Sequence, residues 1–169
     1  MTNPLCQMIM MLTICPAPRS RDTQFLGSIP LPHVVIEYSA NLEGRLDFPA
    51  LLKTLRDTAV ATGIFPLGGT RVRAYRADHY LVADGHADNA FVHIAMRIGH
   101  GRDLETRKRA AQAVFDAACA NLAGLYDSGP LGISFEVQEI EPQLSFKKNN
   151  LHEYVKQRQA QGHAAKVAS

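Results

Sequence analysis

The chain has 169 residues, 46% of them hydrophobic and 20% charged, which suits one compact domain with a core of ordinary size. Eighteen Lys and Arg against sixteen Asp and Glu leave a formal charge of +2, too near balance for a general nucleic-acid or anionic-membrane binder. The apolar content argues against a disordered or collagen-like chain, and three cysteines (Cys6, Cys15, Cys119) without a CxxC pair signal neither a disulfide framework nor a zinc site and fit a reducing cytoplasm.

Residues 1–30 carry four prolines, four methionines and two cysteines with no sustained period, so no fold element is expected there. The apolar run at residues 8–15 is far short of the roughly 20 residues that span a bilayer. A signal peptide is disfavoured because no Lys or Arg precedes that run and prolines crowd the cleavage region. The expected organisation is a non-family extension over 1–31, disordered or a mis-assigned start, then a domain over 32–158, then a disordered tail over 159–169.

Residues 32–38 form a β-branched run that reads as a strand. Asp47 can cap a helix with Pro49 in its first turn, and Phe48, Leu51, Leu52, Leu55 and Ala59 recur at the spacing of one buried face. Gly63 ends it. After the turn Pro66-Leu67-Gly68-Gly69, residues 70–75 alternate, with Arg71, Arg73 and Tyr75 on one face and Val72 and Ala74 on the other. This is a βαβ unit. Past a polar loop through Asp84-Gly85-His86-Ala87-Asp88 the pattern recurs: a strand with Val92, Ile94, Met96 and Ile98 on its apolar side, then a helix capped by Asp103. Its expected inner face is Ala111, Val114, Phe115, Ala118, Leu122 and Leu125, and Gly129-Pro130 ends it before a strand over 131–140. Two similar units predict an α/β (α+β) sandwich, a four-stranded sheet with both helices on one face, since right-handed crossovers put them there. The other face needs a cover, for which oligomerisation is the simplest source. A short helix is expected over 151–156.

His79 and His86 stand near carboxylates but lack the spacing of a metal motif, so they read as solvated loop residues and no metal is assigned. Ser134 and Ser145 lack a nucleophile elbow, Cys119 has no local base, and Gly99-His100-Gly101 lacks the third glycine of a dinucleotide fingerprint. Arg102 stands directly before the capped start of the second helix, where free N–H groups already favour an anion. Arg71 opens the strand after the Gly68-Gly69 turn, at what reads as the corresponding place in the first unit, with a planar fork suited to a carboxylate. Arg107-Lys108-Arg109 reads as a solvated helix face, with Glu105 placed to pair with Arg109.

The blocks Pro32-His33-Val34, Thr62-Gly63-Ile64-Phe65-Pro66-Leu67, Ala83-Asp84-Gly85, Phe91-Val92-His93, and Ser134-Phe135-Glu136 with Phe146-Lys147 resemble, in order and spacing, the 5-carboxymethyl-2-hydroxymuconate isomerase family of the tautomerase superfamily. The resemblance runs from Pro32 to about Tyr154. It implies a homotrimer of tandem βαβ units, no cofactor, and catalysis by an amino-terminal proline. Carried over position by position, it makes Pro32 the proton shuttle and matches Arg71 and Arg102 to substrate-binding arginines. His33 adjoins Pro32 and is a candidate lining residue, with a strand-surface role as its plain reading. The implied substrate is a small polycarboxylate dienol from homoprotocatechuate (4-hydroxyphenylacetate) catabolism, converted in the cytoplasm to its 2-oxo-3-ene isomer without nucleic-acid or membrane partners. In this sequence Leu31 precedes Pro32, and an amide nitrogen has no basic lone pair. The preferred expectation is that translation begins at position 31 through a leucine-type codon read as initiator methionine, which is then removed. Proteolytic trimming before Pro32 is the second, and a retained extension on a non-catalytic polycarboxylate-binding oligomer the third. Another Pro-dependent tautomerisation or a decarboxylation stays open within the enzyme reading.

Overall fold

The computed structural model describes residues 31–167, with side chains to residue 162; the expectations for residues 1–30 lie outside the described residues. Four strands form one sheet: β1 (His33–Ser39), β2 (Arg71–Ala77), β3 (Ala90–Gly99) and β4 (Leu131–Ile140). Their spatial order is β2-β1-β3-β4, with β1 parallel to β2, antiparallel to β3, and β3 parallel to β4. Helix α1 (Phe48–Ala61) connects the first parallel pair and α2 (Leu104–Ser128) the second. The expected tandem βαβ architecture is the observed one.

Alternation decides which face each strand buries. Val34 and Ile36 of β1 and Val92, Ile94, Met96 and Ile98 of β3 are buried against Leu51, Leu55 and Ala59 of α1 and Val114, Ala118 and Leu122 of α2. Each of the Val, Leu, Ile and Met side chains contributes about 1.5–3 kcal/mol of burial. The predicted caps form: Asp47 accepts from the Ala50 amide at 3.0 Å, and Asp103 from the Thr106 amide at 2.8 Å. Gly63 follows α1 at φ +78°, a conformation that only glycine adopts without strain.

Several expectations need correction. Ala110, not Ala111, completes the buried ridge of α2, because a 110-114-118-122 row faces the sheet. Ala111 and Phe115 are rotated to its flank, where the Phe115 ring packs 6.0 Å from that of Phe135. Glu105 pairs with Lys108 at 3.2 Å rather than with Arg109, which turns to the Thr106 hydroxyl. The C-terminal helix α3 runs over Leu151–Val167, through most of the segment expected to be a disordered tail. Gln, Ala, Lys and Arg there are good helix formers with no proline among them, and Gly162 alone is not enough to stop it. The helix-free sheet face, for which a cover is expected, is mixed in character. It carries His33, Glu37, Arg71, Arg73, His93, Arg97, Ser134, Glu136 and Gln138 beside Val35, Tyr75, Phe91 and Ala95.

Candidate active site

The family-like blocks fall at two ends of the sheet, and the register separates them. The 78–89 loop, with Ala83 at φ +52° and Gly85 at φ +81°, joins the far ends of β2 and β3. Asn89 holds it by donating to the Val82 carbonyl at 3.0 Å and the Asp84 carboxylate at 2.7 Å. Asn41 donates to the carbonyls of Ala87 and Asn89 from across the loop. His79 and His86 lie there, exposed and remote in register from Pro32. The Ala83-Asp84-Gly85 block is therefore loop architecture. Likewise His93 and Ser134 are register partners on β3 and β4, their side chains 2.8 Å apart.

The opposite end gathers the candidate chemistry. Pro32 is buried immediately before β1, and its carbonyl accepts the Arg71 amide at 3.0 Å. Arg71 pairs in register with His33, and its guanidinium donates to the Gly69 carbonyl at 2.9 Å. On the other side of β1, Arg97 of β3 pairs with His33. Arg73, one step further along β2, brings its guanidinium to 3.2 Å from His33 Nδ1 and also donates to the Tyr75 hydroxyl at 3.0 Å. Burial foremost, then the charges of Arg73, Arg71, Arg97 and Lys147, hold the His33 imidazole below its ordinary pKa.

Arg102 reaches the same end by a different route. It donates to the Gly99 carbonyl at 3.0 Å and to the Ile64 carbonyl at 3.2 Å, with its guanidinium 5.2 Å above the Phe65 ring. Burial lowers its pKa, opposed by the charge of Glu139, a carboxylate already held by Arg107 at 2.8 Å and facing His100 at 3.6 Å. Arg71 and Arg102 do not occupy corresponding places in the two units, as the sequence suggested: one begins a strand after a helix, the other precedes a helix after a strand. They lie at the same sheet end because β1 runs parallel to β2 and antiparallel to β3, which brings the start of β2 and the end of β3 beside Pro32. The 64–69 segment ties them together, Ile64 holding Arg102 and Gly69 holding Arg71.

Sequence reasoning placed Arg73 on the face of Arg71 but gave it no role, and missed Arg97, whose neighbourhood depends on cross-strand register. It also missed the contribution of α3. Asn149, just before that helix, donates to the Gly68 carbonyl at 3.1 Å, and His152 packs directly on Gly68. Cys119, set aside as a nucleophile, has its thiol pKa raised by burial and by Asp116, which disfavours the reactive thiolate.

A mixed four-stranded sheet of two βαβ units, with both helices on one face and a basic sheet end at a proline, defines a tautomerase-superfamily protein. A fused 4-OT symmetric trimer shares this fold at TM-score 0.54 and 17% identity, covering 72% of this chain and 98% of that one. The chain belongs to the 5-carboxymethyl-2-hydroxymuconate isomerase family, whose family model matches residues 32–155, and it is an isomerase. It is 42% identical over 122 residues to the 5-carboxymethyl-2-hydroxymuconate Delta-isomerase of Escherichia coli, covering 72% of this chain and 97% of that protein. The crystal structure of a 5-carboxymethyl-2-hydroxymuconate isomerase from Deinococcus radiodurans R1 superposes with TM-score 0.71 at 36% identity, over 75% of this chain and 96% of that one.

Proposed function

We propose that this isomerase acts on 5-carboxymethyl-2-hydroxymuconate, with Pro32 as the proton-transferring base and Arg71 and Arg102 as carboxylate anchors. The observation that carries the reading is the convergence of Pro32, Arg71 and Arg102 on one sheet end in a chain of this family. A free α-amine titrates near pH 7.7–8.0, and neighbouring guanidinium charge with partial burial lowers that, leaving neutral amine at working pH. The amine takes the proton of the 2-hydroxyl; the electron pair moves through the diene, and the proton is returned at C5, giving the 2-oxo-3-ene isomer. Arg71 and Arg102 bind carboxylates and oppose the charge gathering on the dienolate oxygen. Proton transfer alone balances the reaction, so no cofactor is required of the site. His33, kept neutral by burial and its cationic neighbours, lines the same face.

The chemistry requires that Pro32 be the first residue of the working enzyme, because acylation by Leu31 removes the lone pair. A homotrimer is supported by the fold shared with a symmetric trimer and by Leu144 and Phe146, 78% and 92% exposed, which give a partner apolar surface to cover. A role in aromatic-compound catabolism follows from the substrate, and a cytoplasmic site of action from the cysteine usage. Among the described residues no helix is long and apolar enough to cross a membrane.

The test joins two measurements on protein from its native source: an intact mass that names the first residue, and ultraviolet absorbance of the dienol during turnover. A chain beginning at Pro32 that isomerises the substrate is the expected result. Retained upstream residues with binding but no turnover would replace it with the polycarboxylate-binding reading, and turnover by an N-acylated Pro32 would remove the proline mechanism.

A further inference from the structure

The rank of basic residues across the helix-free sheet face is larger than two carboxylate anchors account for. Arg71, His33 and Arg97 stand side by side on β2, β1 and β3, and Arg73 reaches back to His33 at 3.2 Å. Arg71 and Arg73 on β2 and Arg97 on β3, either side of β1, repel one another. Yet among the described residues none of Arg71, Arg73 and Arg97 is in an ion pair with a carboxylate. The face does hold acids, but they serve other partners: Glu37 stands four register pairs beyond His33, on the Tyr75–His93 row, and Glu136, on the row of Arg73 but three strands away on β4, accepts from Gln138 at 2.6 Å and faces His93 at 3.9 Å. Cationic charge is thus concentrated beside Pro32 and left unneutralised there, an arrangement the fold does not need and an anion would complete.

The proposed substrate is a tricarboxylate, two carboxylates from the muconate chain and one from its carboxymethyl branch. We propose that Arg73 and Arg97 form a further carboxylate subsite, beside Arg71 and distinct from Arg102, that takes the third carboxylate and sets the preference for tricarboxylate over dicarboxylate ligands. Arg73 is pre-oriented for this: its Nε is fixed on the Tyr75 hydroxyl and its Nη1 on His33, with the plane 5.7 Å from the Tyr75 ring centroid. Arg97 is exposed and pairs with His33 from the opposite strand, so the two arginines approach one anion from either side of β1.

This subsite deepens the isomerase reading and rests on it for the identity of the third carboxylate, so the test separates the two. Binding of tricarballylate and of glutarate, inert tri- and dicarboxylates, is measured by calorimetry on the full chain, wild type, Arg73→Gln and Arg97→Gln. Wild type should favour tricarballylate, and each variant should lose that preference by about tenfold or more, the range expected for a charged hydrogen bond. The ratio of the two affinities within one variant is insensitive to any loss of folded protein. Equal losses for both ligands, or an unchanged ratio, would overturn the subsite. Wild-type turnover of 5-carboxymethyl-2-hydroxymuconate is read in parallel. Turnover with an unchanged ratio would discard the subsite and keep the isomerase, whereas a ratio that collapses in an enzyme without turnover would keep the subsite and discard the substrate.

Discussion

Replacing Gly68 by alanine should loosen α3 and, through it, the carbonyl that holds Arg71. A Cβ at Gly68 would stand 2.8 Å from His152 Nδ1, 2.9 Å from His152 Cα and 3.0 Å from His152 N, all short of the 3.4 Å at which ordinary contact begins. Two of the three atoms are backbone, so rotating the imidazole does not relieve the clash; the helix or the 3-10 turn Leu67–Gly69 must move by about half an ångström. Forcing such a contact inside a fixed structure costs about 1–3 kcal/mol. The anchor opposing it is small, since the Asn149 bond to the Gly68 carbonyl contributes about 0.5–1.5 kcal/mol. Undocking of α3 is therefore the cheaper response, and the main core, which α3 does not join, should hold. Hydrogen exchange should accelerate over residues 149–162 while α2 keeps its protection. KM should rise as the neighbouring Gly69 carbonyl releases Arg71, with kcat changed less. Unaltered exchange in 149–162 together with an unaltered melting temperature would refute the packing argument.

Gly124 is the contrasting case. It lies on the exposed face of α2 with nothing within 4 Å of where an added Cβ would stand, so Gly124→Ala should stabilise the fold by about 0.5–1 kcal/mol in denaturant titration. His33 should titrate below its ordinary pKa near 6.5, followed by its imidazole resonances in NMR. Because its folded pKa is depressed, the unfolded chain binds the proton first. Stability should then be unaffected above pH 6.5, decline as pH falls toward the folded pKa, and level off below it, and His33→Gln should flatten that decline. Arg71→Ala and Arg102→Ala should each lower kcat/KM by about 1.5–3 kcal/mol of charged hydrogen bonding. Arg102→Ala should also lower the melting temperature, since Arg102 ties Ile64 to Gly99; wild-type kinetics in both variants would remove the arginines from the site.

The elements were legible because their determinants are local. Asp47 and Asp103 mark helix starts through their own side chains, Gly63 marks an end through its positive φ, and Val92 to Ile98 mark a buried face by alternation. The family resemblance added Pro32, Arg71 and Arg102 by position, and these do lie at one sheet end. What no local pattern contains is register and phase. Only the antiparallel pairing of β1 with β3 puts Arg97 beside His33, and only that pairing brings Arg102 to the end where Arg71 begins its strand. A few tens of degrees of rotation of α2 exchanged Ala111 for Ala110 on its buried ridge, a choice made by the sheet it packs on rather than by its sequence. The close seat of His152 on Gly68 joins residues more than eighty apart, and its evidence is the absence of a side chain. Sequence by itself determined the elements, their order and the residue types available for chemistry, because propensity, capping and alternation act within a few residues. Tertiary structure decided which of those residues are neighbours, because strand register and helix docking are settled by the whole core at once.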